Sequence, residues 1–333
     1  MDARKIVFWY VETITKTFKT KNFKFMNQEN NWAFIKEKGT LTGMRIMLVI
    51  YRIGGRTLFR IFLFPVIFFY FLFKSELRKN SKDYLLTVKK KTDDLPKVNF
   101  LLSFRHILEF GSSLIDKFSV WMGEIKIDQV NVHGSELFDE LFLNEQGAVI
   151  VISHLGNFEV SSALSQSNPQ MNLTILQYTK HAQKFNLLLN KFKTNSNIEM
   201  LQVTDLDISM AMKLGEKVSR GEFIAISADR LSINHPEALV TCNFFNRPAD
   251  FPNGPYVLAS ILQVPLMLLI CVKRKGKYNI YFEKIAEGRK ISKHERQDFI
   301  KDSAQLFAER LEYYTSQNPL QWFNFFDFWK SNL

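Results

Sequence analysis

The chain has 333 residues, 46% of them hydrophobic and 23% charged, so it can bury a large core and is not an extended disordered segment. A formal charge of +11 points to an anionic partner, and with no DNA- or RNA-binding signature that partner is not read as nucleic acid. Two cysteines, Cys242 and Cys271, lie far apart and outside any CxxC pair, which gives neither a zinc site nor a disulfide framework.

Residues 1–73 carry twelve Lys and Arg against four acids, and end in an aromatic-aliphatic run at 61–73. Positive charge beside such a run suits an anionic bilayer surface. Thirteen residues are fewer than the roughly 20 that a spanning helix needs, and extension takes in Arg60 and Arg56. The reading is an embedded or re-entrant anchor at the cytoplasmic face of a membrane, with a single tilted span or a buried core helix as alternatives. The polar stretch 89–96 marks a boundary, giving a membrane-associating region at 1–95 and a second region at 96–333.

Beyond the boundary, short apolar runs alternate with helical patterns, which predicts an α/β fold: a central, mixed but mostly parallel sheet flanked by helices. Strands are expected at 148–152, 173–177, 198–203, 222–227, 264–272 and 277–285. Helices are expected at 157–165, 183–192, 205–218, 256–262 and 293–314. The β-branched run at 148–152 suits a strand buried on both faces. Lys273-Arg274-Lys275-Gly276-Lys277 reads as a basic hairpin turn, and the aromatic end at 321–329 as core packing or an interfacial belt.

The chemistry centres on Ser153-His154-Leu155-Gly156-Asn157-Phe158-Glu159, just past the first of these strands. Loops at the carboxyl ends of sheet strands are where α/β proteins build sites. Four residues separate His154 from Glu159, a spacing that a strand-turn-helix can fold back so that the carboxylate meets the imidazole. The ring would then be fixed in one tautomer, leaving its other nitrogen to take a proton from a hydroxyl. The same residues also suit a plain helix start, with Asn157 and Glu159 as caps. His181 reads as a solvated helix-start residue, His235 as a structural loop residue, and no metal-ligand spacing is present.

His154 to Glu159 resembles the His-x4-Asp/Glu motif of the lysophospholipid acyltransferase superfamily, and is most similar to its branch of bacterial lipid A biosynthesis (late) acyltransferases. Three later blocks resemble that branch in order. They are Ile226-Ser227-Ala228-Asp229-Arg230, Phe251-Pro252-Asn253-Gly254-Pro255 and Pro319-Leu320-Gln321-Trp322-Phe323. Near the front, the run from Trp32 to Gly39 resembles the opening of a subgroup.

The resemblance implies an acyl thioester donor (acyl carrier protein or coenzyme A), a lipid or glycolipid acceptor, and no cofactor. It implies His154 as general base and Glu159 as its orienter. Asn157 and Asp229 belong to the substrate-binding set, and Arg230 faces a donor phosphate or developing negative charge. Asn253 and Gly254 shape a substrate loop, and Lys180 stands where the family's second block has Arg. Asn253-Gly254-Pro255-Tyr256 lacks the basic residue of glycerolipid members, which argues against a glycerol phosphate acceptor. A lipid A-type glycolipid, an aryl-polyene pigment and an amino-acid lipid all fit as acceptors. The non-enzyme alternative is a basic membrane-surface binding protein.

Overall fold

A computed structural model describes residues 41–121, 123–125, 127–161, 171–177, 197–202, 208–231 and 237–329. The run from Trp32 to Gly39, Lys180, His181, His235 and the helix expected at 183–192 lie outside the described residues.

Three helices come first: α1 (Leu41–Phe73), α2 (Ser75–Lys89) and α3 (Phe100–Trp121). Gly55, at φ 59°, breaks α1 into two arms. The aromatic run at 61–73 forms the end of the second arm, where Phe64, Phe68 and Phe71 pack around Phe104 of α3. Much of this layer stays uncovered: Ile61, Phe64, Phe68, Leu72 and Phe73 of α1, with Phe100 and Leu101 of α3, are exposed. Val49–Phe73 is long and apolar enough to cross a membrane by length and composition, although it carries three arginines. One of them, Arg56, is paired with the buried Asp116 of α3.

The sheet follows as β1 (Val130–His133), β2 (Ala148–Ile152), β3 (Leu173–Gln177), β4 (Ile198–Gln202), β5 (Phe223–Ser227), β8 (Leu266–Arg274) and β9 (Lys277–Ala286). Its order is β1-β9-β8-β2-β5-β3-β4, parallel throughout except where β8 meets β9. The remaining elements are α4 (Ser135–Leu143), α5 (Ile208–Ser219), a separate hairpin of β6 (Leu239–Phe244) and β7 (Arg247–Pro252), α6 (Gly254–Leu262) and α7 (Arg296–Gln317).

All five residues of β2 are buried, as its unbroken apolar run requires. Side-chain alternation divides them. Val149 and Val151 face a core built with α6, α7 and the terminal aromatics. Ala148, Ile150 and Ile152 face a second core with Leu141 of α4 and Ile280 of β9.

Boundaries differ from expectation by local chemistry. Pro265 has no N–H for a ladder, and β8 begins after it. The basic turn is a two-residue hairpin loop with Lys275 and Gly276 both at positive φ. Ser292 and Glu295 exchange reciprocal hydrogen bonds ahead of α7, which therefore starts three residues later than expected. Of the helix expected at 157–165, the described part is a 3-10 turn, Phe158–Ser161. The β6–β7 hairpin escaped the sequence pattern because Phe245 and Asn246 supply its positive-φ turn without glycine, and its second strand holds two prolines. The terminal aromatics belong to the core: Trp322 is fully buried against Tyr84, Phe244 and Phe328.

Candidate active site

His154 sits two residues beyond β2 in a segment laced on both sides. The Phe323 N–H donates to the His154 carbonyl at 3.0 Å, and the Gly156 N–H donates to the Gln321 carbonyl at 2.7 Å. On the other side the Asn157 N–H donates to the Cys271 carbonyl of β8 at 2.8 Å. Gly156 stands at φ 74°, and a Cβ there would lie 1.8 Å from the Cys271 oxygen, so both backbone shape and space demand glycine. Gln321 completes the lacing by exchanging two 2.8 Å hydrogen bonds with the Lys273 backbone.

This lacing fixes the path of residues 154–157, with Gly156 in the left-handed region, and the expected meeting of Glu159 with His154 does not occur. Glu159 is carried on into the 3-10 turn, where its carboxylate takes the Lys117 ammonium of α3. The carboxylate on the imidazole is Asp229, just past β5, whose Oδ1 lies 2.7 Å from His154 Nδ1. Asp229 Oδ2 accepts the His154 backbone N–H at 2.8 Å and the Trp322 indole N–H at 3.0 Å. The Asn324 amide reaches the same oxygen at 3.4 Å, and the Ser227 hydroxyl donates to Oδ1 at 3.0 Å.

A fully buried carboxylate is normally forced toward its neutral form. Here burial is outweighed by the His154 and Arg230 charges and by the donors on both oxygens, which hold Asp229 well below the usual carboxylate range. It therefore stays ionised and keeps the proton of His154 on Nδ1, since only a donor satisfies a carboxylate at 2.7 Å. Nε2 meets no protein partner among the described residues, and the imidazole side chain is 33% exposed. Burial lowers the His154 pKa, and the Arg230 and Lys117 charges push it the same way against Asp229. The ring is then neutral at pH 7, with a lone pair presented at Nε2.

The other expected site residues divide. Arg230 lies beside Asp229, but its Nε and Nη2 donate to Asn324 Oδ1 and the Phe323 carbonyl, both at 3.1 Å, so it pins the terminal segment. Asn157 is buried, and its amide donates to the Ser113 carbonyl of α3 at 3.0 Å. Asn253 and Gly254 open α6, and the Asn253 carbonyl accepts the N–H groups of Tyr256 and Val257 in its first turn. Lys180 lies outside the described residues. Three residues that sequence reading passed over join the site: Lys117, Trp322 and Asn324. Only Trp322 carried a signal, as part of the terminal block.

Behind the turn, a cavity of about 210 Å³ is lined by Arg60, Ser113, Asp116, Asn157, Lys273 and Tyr278. A larger trough of about 840 Å³, with Arg105, Lys273, Arg274 and Lys275 along it, shares Glu109, Lys273 and Gln321 with that cavity. Among the described residues, no group of three or more His, Cys, Asp or Glu could hold a metal ion.

An imidazole held by a buried carboxylate thus stands at the carboxyl end of a mostly parallel sheet, where α/β proteins build their sites. The family of bacterial lipid A biosynthesis acyltransferases matches residues 107–331, more than half of the chain, and the chain belongs to that family. No curated protein matches the sequence to refine this. Acyltransferase activity and the kinds of partner that go with it, an acyl donor and a lipid acceptor, follow from membership. Together with the exposed apolar helix, membership also makes the chain membrane-associated.

Proposed function

We propose that the chain moves a fatty acyl group from a thioester, on acyl carrier protein or coenzyme A, to a hydroxyl or amine of a lipid A-type glycolipid at the cytoplasmic face of the inner membrane. The observation that carries this reading is the 2.7 Å contact between Asp229 and His154 Nδ1, which leaves Nε2 as a neutral base.

In this reading His154 Nε2 takes the proton of the acceptor hydroxyl as its oxygen bonds to the thioester carbonyl carbon. Asp229 balances the imidazolium that forms. The tetrahedral intermediate then expels the thiolate, and His154 returns the proton to sulfur, giving ester and free thiol. Lys117, held by Glu159 and close enough to depress His154, supplies positive charge where oxygen becomes negative. The basic trough suits an anionic donor, whether phosphate group or acidic carrier surface. The exposed aromatics of α1 and α3 suit the lipid interface that holds the acceptor.

The test is thiol release by purified protein in detergent, given acyl carrier protein or coenzyme A thioesters with glycolipid, pigment and amino-acid-lipid acceptors. Release should need an acceptor and should fall by about 10²–10⁴-fold in His154→Ala with the fold retained. Undiminished turnover in that variant would remove His154 as base, and no release with any pairing would remove the acyl-transfer reading.

A further inference from the structure

The bond between Trp322 and Asp229 goes beyond packing. Indole N–H groups inside proteins find an acceptor, usually a backbone carbonyl, as Trp329 does here with the Phe244 carbonyl at 3.2 Å. Trp322 instead donates to the oxygen of Asp229 that is not engaged by the imidazole. The ring is wholly buried, and its backbone is fixed from the opposite side. The Trp322 carbonyl accepts from His106 Nε2 at 2.9 Å, and His106 Nδ1 lies 3.0 Å from the Ser81 hydroxyl. His106 is fully buried and its pKa is lowered to about 4, so it is neutral at pH 7. A carbonyl can only accept, so the ring proton is on Nε2 and Nδ1 accepts from Ser81. The chain of contacts thus runs from α2 and α3 through Trp322 to Asp229 and His154, with every donor matched to an acceptor.

We propose that Trp322 is a positioning residue of the acyl-transfer site. Its indole N–H would fix the orientation and charge distribution of Asp229 and thereby set the basicity of His154, with His106 and Ser81 holding Trp322 in place. The proposal rests on His154 being the base. Its physical content is directional: a carboxylate that loses a donor on Oδ2 holds more charge for Oδ1, and so stabilises the imidazolium more.

The test is Trp322→Phe, which keeps an aromatic ring and removes the N–H. Expected are a kcat lower by about tenfold, the size of one hydrogen bond to a charged group, KM values within twofold, and an acid limb of kcat/KM moved to higher pH. Without any substrate, the His154 ring titration should move up in the same variant, followed by carbon-labelled histidine NMR with the signal assigned through His154→Gln. Replacing all tryptophans by fluorotryptophan strengthens the N–H donor without removing a ring, and should move that titration down; it serves where Trp322→Phe does not fold. His106→Gln keeps a donor for the Trp322 carbonyl and should leave the titration in place. Lost activity with an unmoved titration in the folded variant would make Trp322 a packing residue and overturn the proposal. So would an unmoved titration with fluorotryptophan. If wild-type protein releases no thiol with any acceptor while the titrations move as stated, the acyl-transfer reading fails and the coupling of Trp322 to His154 stands.

Discussion

Asp229, 75 positions after His154, lies within 2.7 Å of its Nδ1 and accepts its backbone N–H through the second carboxylate oxygen. One side chain thus fixes both the ring and the loop that carries it. Because every donor reaches a buried, ionised carboxylate, the pair holds a single tautomer with Nε2 open.

Asp229→Asn should therefore be nearly as harmful as loss of the imidazole. An amide can offer an N–H to Nδ1 and drive the ring proton to Nε2, the tautomer that cannot act as base. A fall in thiol-release kcat of about 10²–10⁴-fold is expected, with far-UV circular dichroism unchanged. A variant within threefold of wild type would show that the tautomer does not matter.

Glu159 and Lys117 should behave as one unit. Glu159→Gln strands a cation beside His154, and Lys117→Met strands a carboxylate, so each single change lowers activity. If Glu159 acts through Lys117, the double variant costs no more than the worse single one. Additive losses in that double-mutant cycle would mean that Glu159 reaches the chemistry by another route.

The pH dependence follows from signs. His154 must be neutral to act, and its pKa lies below 6.5, so kcat/KM should be flat above that pH and fall below it. His106 is lowered to about 4, so between pH 6.5 and 4 the unfolded chain binds a proton that the folded chain refuses. Its stability contribution is complete above pH 6.5 and declines as pH falls, by an amount on the order of 3 kcal/mol at pH 4. Denaturant titrations at pH 7 and pH 4.5 should show this loss shrinking in His106→Gln, and an equal loss in both proteins would place the acid sensitivity elsewhere.

Membrane attachment should depend on the uncovered faces of α1 and α3. Phe64→Ser, Phe68→Ser, Phe73→Ser and Leu101→Ser together should weaken binding to anionic vesicles by more than tenfold, since each large apolar side chain is worth about 1.5–3 kcal/mol when buried. Retention of wild-type vesicle binding would shift the anchor to another part of the chain.

Features that rest on neighbours along the chain were legible in the residues alone. The β-branched run 148–152 suited a strand buried on both faces, and it forms one. Lys275-Gly276 read as a tight turn between two strands, and His154 stood out just past β2. Local spacing also suggested Glu159 as the partner of His154, whereas the fold sets Asp229 against the ring. Backbone bonds to Cys271, Gln321 and Phe323 fix the path of residues 154–157, and Glu159, in the 3-10 turn beyond, pairs with Lys117 of α3. The sheet instead sets β5 beside β2 in parallel register, bringing Asp229 to the same edge as His154. Burial then made Asn157 a latch and Arg230 a pin, and it turned the terminal Trp322 inward onto Asp229. Pairing between residues 75 to 95 positions apart depends on which strands and segments become neighbours, and local periodicity holds no record of that.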